Sequence, residues 1–404
     1  MASPPAMSET IVQELPSRLT AERLSGRPEH HLDDTKSSFR NPWPSFRFPA
    51  LWQWVSFFTR QATSRPRVPD DLSDRIPTHE PTWGKDSDGA AIKATWLGHA
   101  CYLIELPTPP GGSRGPRILT DPVMSQRCAP VQWAGPERLV PAPCSANNIP
   151  VVDAIVISHN HYDHMDASTL RVLYERHHPH VFAPLGNLQT LREMGISRKH
   201  IHILDWWDAR SVTVPLPPSS SAGNTDVGQG GERRVDATFR ITCTPSQHTA
   251  NRSLFDRWRS LWSSWAIEEL KGKDELADTG KKVYFGGDTG YRTVRDGEDE
   301  EKVPVCPAFA EIGERFGSFD LALLPIGAYA PRTLFSNLHV NPYDSVRIFQ
   351  DIRAKKALAM HWGTWILTTE PIMEPPLLLR KACAEAGLKD SQFDICGLGE
   401  TRVI

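Results

Sequence analysis

An α/β layered fold is the architecture that this sequence predicts, and three observations support it. Short apolar runs of strand length recur from Lys93 onward, separated by polar or helical stretches. No internal repeat interrupts this alternation, which is typical of layered α/β proteins. With 404 residues and 39% hydrophobic content, the chain can form one large domain or two modest ones.

The N-terminal region lacks the features of a folded or exported segment. Residues 1–35 contain no apolar core of a secretory signal, and their acidic residues argue against a mitochondrial transit peptide. We therefore predict a disordered leader over residues 1–35 and an N-terminal segment over residues 36–92. His30 and His31 belong to this leader, and the sequence indicates no role for them.

A short aromatic helix is predicted over residues 48–60. In "FPALWQWVSFF" the apolar residues Leu51, Trp54 and Phe58 recur at helical spacing, and arginines flank the stretch on both sides. Such a helix suits the interface of a lipid bilayer. It equally suits docking of its aromatic side chains on the domain body, and the residues alone leave both interpretations open.

The globular domain is predicted over residues 93–404. Its predicted strands lie in "AIKATWLGHACYLIEL", "PRILTDP", "VVDAIVIS" (151–158), "RITCTP", "KKVYFGGD", "DLALLPIG" and "KKALAMHWG". A helix is predicted after Asp166, which is placed to cap it, with Leu170, Leu173 and Tyr174 on one face. A Pro/Ser/Gly-rich stretch predicts a mobile surface insertion over residues 215–234.

Charge and cysteine content narrow the functional classes. The net charge of −3 gives no basic field for a nucleic-acid partner, so none is expected. The seven cysteines are scattered and never in CxxC spacing, which predicts free thiols in a reducing, intracellular compartment. No apolar run approaches the ~20 residues that a membrane-spanning helix needs.

Acidic and histidine side chains cluster at the ends of several predicted strands. The stretch "SHNHYDHMD" (158–166) holds three histidines and two aspartates directly after an apolar run. The candidate metal ligands are His159, His161, Asp163 and His164 in this stretch, then His248, Asp288 and His361 after later apolar runs. Because strand ends at one edge of a sheet converge, these side chains can meet although the chain separates them widely.

The ligand types indicate a pair of metal ions, for which zinc is expected, although the same nitrogen and oxygen ligands also accept iron or manganese. Imidazole and carboxylate ligands without thiolate are typical of catalytic rather than structural zinc sites. Two ions ~3.5–4 Å apart, bridged by a carboxylate and a hydroxide, provide a nucleophile at neutral pH and a clamp for a phosphorus centre. Asp288 is the expected bridging carboxylate, since one oxygen can reach each ion. Gly286 and Gly287 before it are expected to allow a close approach of the backbone.

The ligand pattern resembles that of the metallo-β-lactamase superfamily. "HNHYDH" followed by a later His, Asp and His is the signature of that superfamily. The resemblance implies an αββα sandwich, with two mixed sheets face to face and helices outside. It implies one zinc on His159, His161 and His248, a second on Asp163, His164 and His361, and Asp288 as the bridge. Asp121 of "LTDP" matches the acidic residue that supports the loop below the metals.

A narrower resemblance links the chain to the N-acylphosphatidylethanolamine-hydrolysing phospholipase D family. It rests on "FRNPWPSF", "TDPVMSQRCAPVQWAGPERLVPAPC", "FGGDTGY" and "HWGTW", among other stretches between about Arg40 and about Pro376. It implies hydrolysis of N-acylphosphatidylethanolamine to N-acylethanolamine and phosphatidic acid, by attack of a zinc-bridging hydroxide. It also favours membrane contact for the 48–60 helix.

The expected partners are a phospholipid substrate, a membrane surface bound peripherally, and a second copy in a homodimer. The expected location is an intracellular membrane, with the mitochondrial one among the candidates.

The resemblance also assigns roles at the mouth of the site. Asp163, Asp288 and His339 are the expected catalytic residues. Tyr162, Leu338, His339 and Trp362 are the expected substrate-binding residues. Tyr162 and Trp362 are included because they are aromatic residues near the ligands, and core packing is the alternative for both. The family has a Gln-His pair where this chain has Leu338 and His339, and it favours Trp where this chain has Thr249. These departures bear on substrate choice more than on reaction type. His99 is expected to pack beside the ligands rather than to bind metal.

Two other functions fit the same ligands. One is a lactonase or soluble phosphoester hydrolase, similar to the bacterial sugar-phosphate lactonases of the superfamily. The other is a metal-binding scaffold without turnover, which the full ligand set disfavours. A soluble lactonase has no use for an interfacial helix, so the 48–60 stretch separates the first alternative from a lipid hydrolase.

Overall fold

The structure is a computed structural model that describes residues 9–17, 26–49, 53–54, 57, 65–219, 234–253, 255–272 and 279–404. Its strands are β1 (Ile11–Leu15), β2 (Lys93–Gly98), β3 (Cys101–Glu105), β4 (Arg117–Thr120), β5 (Ala154–Val156), β6 (His180–Pro184), β7 (Ile201–Leu204), β8 (Ala209–Leu216), β9 (Val235–Thr244), β10 (Ser264–Leu270), β11 (Thr279–Phe285), β12 (Leu321–Pro325), β13 (Ala357–Met360), β14 (Phe393–Asp394) and β15 (Thr401–Val403). Its α-helices are α1 (Leu72–Arg75), α2 (Ala167–His177), α3 (Leu188–Glu193), α4 (Ala308–Phe316), α5 (Arg332–Phe335), α6 (Pro342–Asp351) and α7 (Glu374–Glu385).

The strands form two mixed sheets. One has the order β15-β2-β3-β4-β5-β6-β7, and the other has the order β1-β8-β9-β10-β11-β12-β13-β14. In each sheet an antiparallel half continues into a parallel half, which begins at β4–β5 in the first sheet and at β11–β12 in the second. The predicted αββα sandwich is confirmed.

The core lies between the two sheets. Fully buried Trp96 and Phe182 from the first sheet belong to the same cluster as Phe239 and Trp265 from the second. Two hydrogen bonds cross this layer, from the Tyr102 hydroxyl to the Ala359 carbonyl (2.9 Å) and from Trp265 Nε1 to the Ile157 carbonyl (3.0 Å). Burial of large aromatic side chains on both inner faces therefore joins the sheets, and the indole and phenol polar atoms find partners across the layer.

Helices cover the outer faces, as the alternation of elements predicts. The predicted helix is α2, and the Asp166 side chain caps it by accepting from the Ser168 N–H. Leu170 and Leu173 of α2 are fully buried against the outer face of the first sheet, while Tyr174 is only partly buried. Within the described ranges, every helix is too short or too polar to span a lipid bilayer.

Two predicted elements have boundaries that need correction. The strand predicted over 151–158 is shorter, because only Ala154–Val156 pairs with its neighbours. The insertion predicted over 215–234 is wrong at its start, since Pro215 and Leu216 still pair with β9. Residues 220–233 lie outside the described residues. All seven cysteines are free, as expected.

The disordered leader predicted over 1–35 is wrong for the part that the structure describes. Ile11–Leu15 form β1, which adds an antiparallel edge strand to β8. Farther along, the buried side chains of His30 and His31 contact Asp205. Long-range pairing orders this stretch, although its own composition is polar.

Most of the helix predicted over 48–60 lies outside the described residues. Of that stretch, the rings of Trp54 and Phe57 contact Phe335.

Candidate metal centre

The candidate ligands lie at one edge of the sandwich, where strands of both sheets end. The stretch 158–164 follows β5 of the first sheet, while His248, Asp288 and His361 follow β9, β11 and β13 of the second. The structure brings all seven side chains together, although up to 202 positions separate them in the chain. Asp163 and His161 are partly exposed, and the other five are buried.

Two groups of donor atoms can be distinguished at this edge. The first comprises His159, His161 and His248, and the second comprises Asp163, His164 and His361 together with His99. In the first group, His159 Nε2 and His161 Nδ1 are 2.8 Å apart, and His248 Nε2 is 3.5 Å from the same Nδ1. In the second, His164 Nε2 is 3.3 Å from His361 Nε2 and 3.4 Å from Asp163 Oδ2. The first group is the ligand set expected for one ion, and the second contains the set expected for the other together with His99; the number of ions stays a prediction.

Asp288 stands between the groups. Its Oδ2 is 3.9 Å from His159 Nε2, 3.8 Å from His248 Nε2 and 3.2 Å from His164 Nε2. Its Oδ1 is 2.9 Å from His361 Nε2, yet it is buried without a hydrogen-bond partner. A buried carboxylate oxygen without a hydrogen bond is costly unless a cation compensates it. The donor set and this oxygen therefore fit a divalent metal.

Hydrogen bonds on the far side of the rings fix which nitrogen faces the centre. His164 Nδ1 is 2.6 Å from Asp121 Oδ2, and His159 Nδ1 is 2.8 Å from the Ser158 hydroxyl. The Ser158 N–H and hydroxyl both donate to Asp121, so these residues form one network. His248 Nδ1 donates to the carbonyl of Leu338 at 3.0 Å. Such contacts orient metal-binding imidazoles and select their tautomer.

The electrostatics favour positive charge at the centre. Burial lowers the pKa of His159 and His248 well below the usual range, which leaves their ring nitrogens neutral. Burial acts in the same direction on His361, but the Asp288 and Asp163 carboxylates together outweigh it and raise the pKa of His361 to about 9. Positive charge is therefore favoured beside these carboxylates, and a bound divalent cation would supply it.

The backbone at the edge adopts conformations that only strong local constraints maintain. Asp121, His99 and His361 have φ of +33°, +53° and +64°. Gly287, at φ +57°, leaves no room for a side chain, since a Cβ there would lie 2.5 Å from Ser158 Cβ. The close backbone approach expected for this glycine is therefore confirmed, and it brings the Asp288 loop against the histidine loop.

The residues expected at the mouth have different environments. His339 Nδ1 is 3.7 Å from Asp288 Oδ2 and has no hydrogen-bond partner, and its side chain is 14% exposed. The Tyr162 hydroxyl donates to the Arg252 carbonyl, and the Arg252 guanidinium lies over the Tyr162 ring. The Trp362 ring stacks on buried Trp96, so most of its surface belongs to the core. His99 Nε2 lies 3.0 Å from Asp163 Oδ2, which supports that carboxylate as expected.

Sequence reasoning missed several supporting residues. Asn41 Nδ2 donates to the carbonyl of His248 at 2.7 Å, and the Ser45 hydroxyl donates to Gln247 Oε1 at 2.6 Å. Arg252 Nη1 donates to the carbonyls of Asn160 and Met165, which holds both ends of the histidine loop. The one available signal was the position of Gln247 and Arg252 within a few residues of His248.

Asp121→Asn is expected to weaken metal binding about 10- to 100-fold, because an amide cannot both accept from Ser158 and hold the His164 imidazole as a carboxylate does. Competition with a chromophoric zinc chelator measures the affinity. Asp390→Asn, on an exposed turn, makes the same chemical change away from the site and should leave affinity unchanged. Equal affinities for both variants would contradict this role of Asp121.

Comparison with known proteins agrees with this geometry. The family described as beta-lactamase superfamily domain matches residues 116–362. The chain is 32% identical to N-acyl-phosphatidylethanolamine-hydrolyzing phospholipase D 1 of Caenorhabditis elegans over 84% of both chains. It is 27% identical to the mitochondrial N-acyl-phosphatidylethanolamine-hydrolyzing phospholipase D of Saccharomyces cerevisiae, over 87% of this chain and 72% of that one. It is also 33% identical to an uncharacterized protein of Mycobacterium tuberculosis, over 80% of this chain and 70% of that one.

Proposed function

Because the chain belongs to the metallo-β-lactamase superfamily, and within it to the N-acylphosphatidylethanolamine-hydrolysing phospholipase D family, we propose that it hydrolyses N-acylphosphatidylethanolamine to N-acylethanolamine and phosphatidic acid. The proposed cofactor is a pair of zinc ions. The observation that carries the proposal is the position of Asp288, whose carboxylate reaches donor atoms of both ligand groups.

Protein side chains supply the frame for this reaction. His159, His161 and His248 would hold one ion, Asp163, His164 and His361 the other, and Asp288 both. When bound, the two ions lower the pKa of a water molecule and neutralise the negative charge that builds on the phosphate. Water adds its oxygen to phosphorus, the bond from phosphorus to the ethanolamine oxygen breaks, and the released N-acylethanolamine takes a proton.

His339 is the proposed contact with the phosphate. Burial lowers the pKa of His339 to about 4, so its ring is neutral at pH 7 and carries one N–H donor. Its Nδ1 faces the centre without a protein partner and is available to a phosphate oxygen. The Leu338 carbonyl accepts a hydrogen bond from His248 Nδ1. The Leu338 side chain, where the family has Gln, is the proposed apolar lining of the mouth.

The direct test incubates zinc-loaded protein with N-acylphosphatidylethanolamine vesicles and follows both products by mass spectrometry. In ¹⁸O-labelled water, the proposal predicts N-acylethanolamine without label and phosphatidic acid with one labelled oxygen. Label in N-acylethanolamine would refute attack at phosphorus. No lipid product, together with turnover of a sugar-phosphate lactone, would favour the lactonase alternative.

Peripheral binding to a membrane is the second part of the proposal. Two observations support it: Phe48 is 50% exposed and lies beneath the Arg257 guanidinium, and Phe255 is 94% exposed. Aromatic side chains paired with arginine are typical of bilayer interfaces. The name of the yeast relative makes the mitochondrial membrane one candidate location. A homodimer stays a prediction.

Serine substitutions at Leu51, Trp52 and Phe58 are expected to reduce sedimentation with anionic vesicles several-fold, because they remove apolar surface from the predicted interfacial helix. The control is Leu377→Ser, which removes an exposed leucine of α7 and should sediment as the native protein does. Undiminished sedimentation of the triple variant would refute a membrane role for the 48–60 stretch.

A further inference from the structure

Three buried side chains outside the catalytic cluster meet where the stretch around His30 and His31 contacts the first sheet. His30, His31 and Asp205 are 7%, 2% and 6% exposed. Asp205 directly follows β7, whereas the two histidines lie about 175 positions earlier in the chain. One donor atom from each side chain lies within 4.8 Å of the others. Two imidazoles and one carboxylate are the donor types that zinc and similar divalent ions accept.

The geometry differs between the two histidines. His30 Nε2 and Asp205 Oδ1 form a hydrogen bond of 2.7 Å. His31 Nε2 is only 2.9 Å from Asp205 Oδ2, yet this buried nitrogen has no hydrogen-bond partner, so its N–H direction does not meet the oxygen. If only N–H···O hydrogen bonds held the three side chains together, His31 Nε2 would remain unsatisfied, which is costly for a buried nitrogen. A cation that accepts its lone pair removes this cost.

We propose that His30, His31 and Asp205 bind one divalent transition-metal ion of the zinc type, separate from the catalytic pair, with water completing its coordination. Solvent can reach the ion, because an open cavity lined by His31, Lys36 and Asp205 adjoins it. Lys36 Nζ, 3.7 Å from Asp205 Oδ2, competes for the same carboxylate. The Lys36 side chain is 55% exposed, so it can turn its charge into solvent when the ion binds.

The role of this ion is structural. It links the stretch around His30 and His31 to the end of β7, and the Trp43 ring stacks on Trp206, the residue after Asp205, at 5.4 Å. Two residues before Trp43, Asn41 donates to the carbonyl of His248, a candidate catalytic ligand. Cross-linking the segment at His30 and His31 therefore steadies the support of His248, because it reduces the conformational freedom of the chain between the two contacts.

Metal counting on the full chain tests the proposal without any substrate. Zinc-loaded protein is exchanged into metal-free buffer, and zinc per chain is measured by native mass spectrometry. We expect Asp205→Asn and His31→Gln each to hold one zinc fewer than the native chain. His79→Gln, an exposed histidine in another part of the fold, should hold the native number. Circular dichroism verifies that the variants are folded.

A second measurement keeps the proposal testable if Asp205→Asn does not fold. Zinc titration should raise the melting temperature of His79→Gln as it raises that of the native chain, while His31→Gln should lose part of this rise. Equal zinc counts and equal zinc-dependent melting shifts for His31→Gln and His79→Gln would overturn the third site. Failure of lipid hydrolysis would leave both results unchanged, so this proposal and the proposed function can fail separately.

Discussion

Replacement of Asp288 by asparagine is expected to lower kcat for N-acylphosphatidylethanolamine by about 10³-fold or more. Asp288 is the carboxylate whose oxygens reach the imidazoles of both groups, from His361 and His164 on one side to His248 and His159 on the other. The amide keeps the size of the side chain but removes its charge and one of its two acceptor oxygens. One group of ligands then loses the oxygen that faces it, and both groups lose the negative charge of the carboxylate.

The measurement is kcat and KM on lipid vesicles, together with zinc per chain. Asp390→Asn, an exposed residue with the same chemical change, is the matched control and should behave as the native chain. Far-UV circular dichroism separates loss of activity from loss of fold. If Asp288→Asn retained kcat within tenfold of the native value while folded, Asp288 would not act at the centre of the reaction.

Removal of metal by a chelator is expected to abolish hydrolysis and to lower the melting temperature. Asp288 is buried, and its carboxylate is ionised because His164 and His361 outweigh the effect of burial and lower its pKa. A bound cation would offset its charge. Each bound ion stabilises the fold by about 2.7 kcal/mol when free metal is at 100 times Kd. Activity should return when zinc is added back.

The Asp288→Asn variant provides the control for this experiment. Because it lacks the shared carboxylate, its melting temperature should respond less to the chelator than that of the native chain. The comparison is best made in an Asp205→Asn background, so that the proposed third ion does not contribute. If the double variant responded to the chelator as the Asp205→Asn variant does, or if lipid hydrolysis survived complete metal removal, the metal-dependent account would be contradicted.

The sequence was sufficient to predict the convergence of the ligands, because strand ends carry them. His361 directly follows β13 and Asp288 follows β11 by three residues, so apolar runs and the polar residue after each run locate both. The alternation of short predicted strands with helical stretches also predicted that sheets and helices form separate layers. The order of strands in each sheet could not be derived this way, since β1 pairs with β8 across about 200 positions.

The N-terminal region was the least predictable part. "IVQEL" of β1 is only five residues long and mostly exposed, so no apolar alternation marks it as a strand. The strand forms because β1 pairs with β8, and the sequence of β1 alone does not predict this pairing. The contacts of His30 and His31 with Asp205, and of Asn41 with His248, likewise depend on residues far along the chain. Local pattern carries no information about such contacts.

Anomalous diffraction at the zinc edge, from crystals of the zinc-loaded protein, tests the central claim most directly. The account predicts two peaks at the shared edge of the sheets, one among His159, His161 and His248 and one among Asp163, His164 and His361. Asp288 should lie within coordination distance of both peaks, with its two oxygens divided between them or shared. No peak among these side chains, or a single peak that Asp288 does not contact, would contradict it.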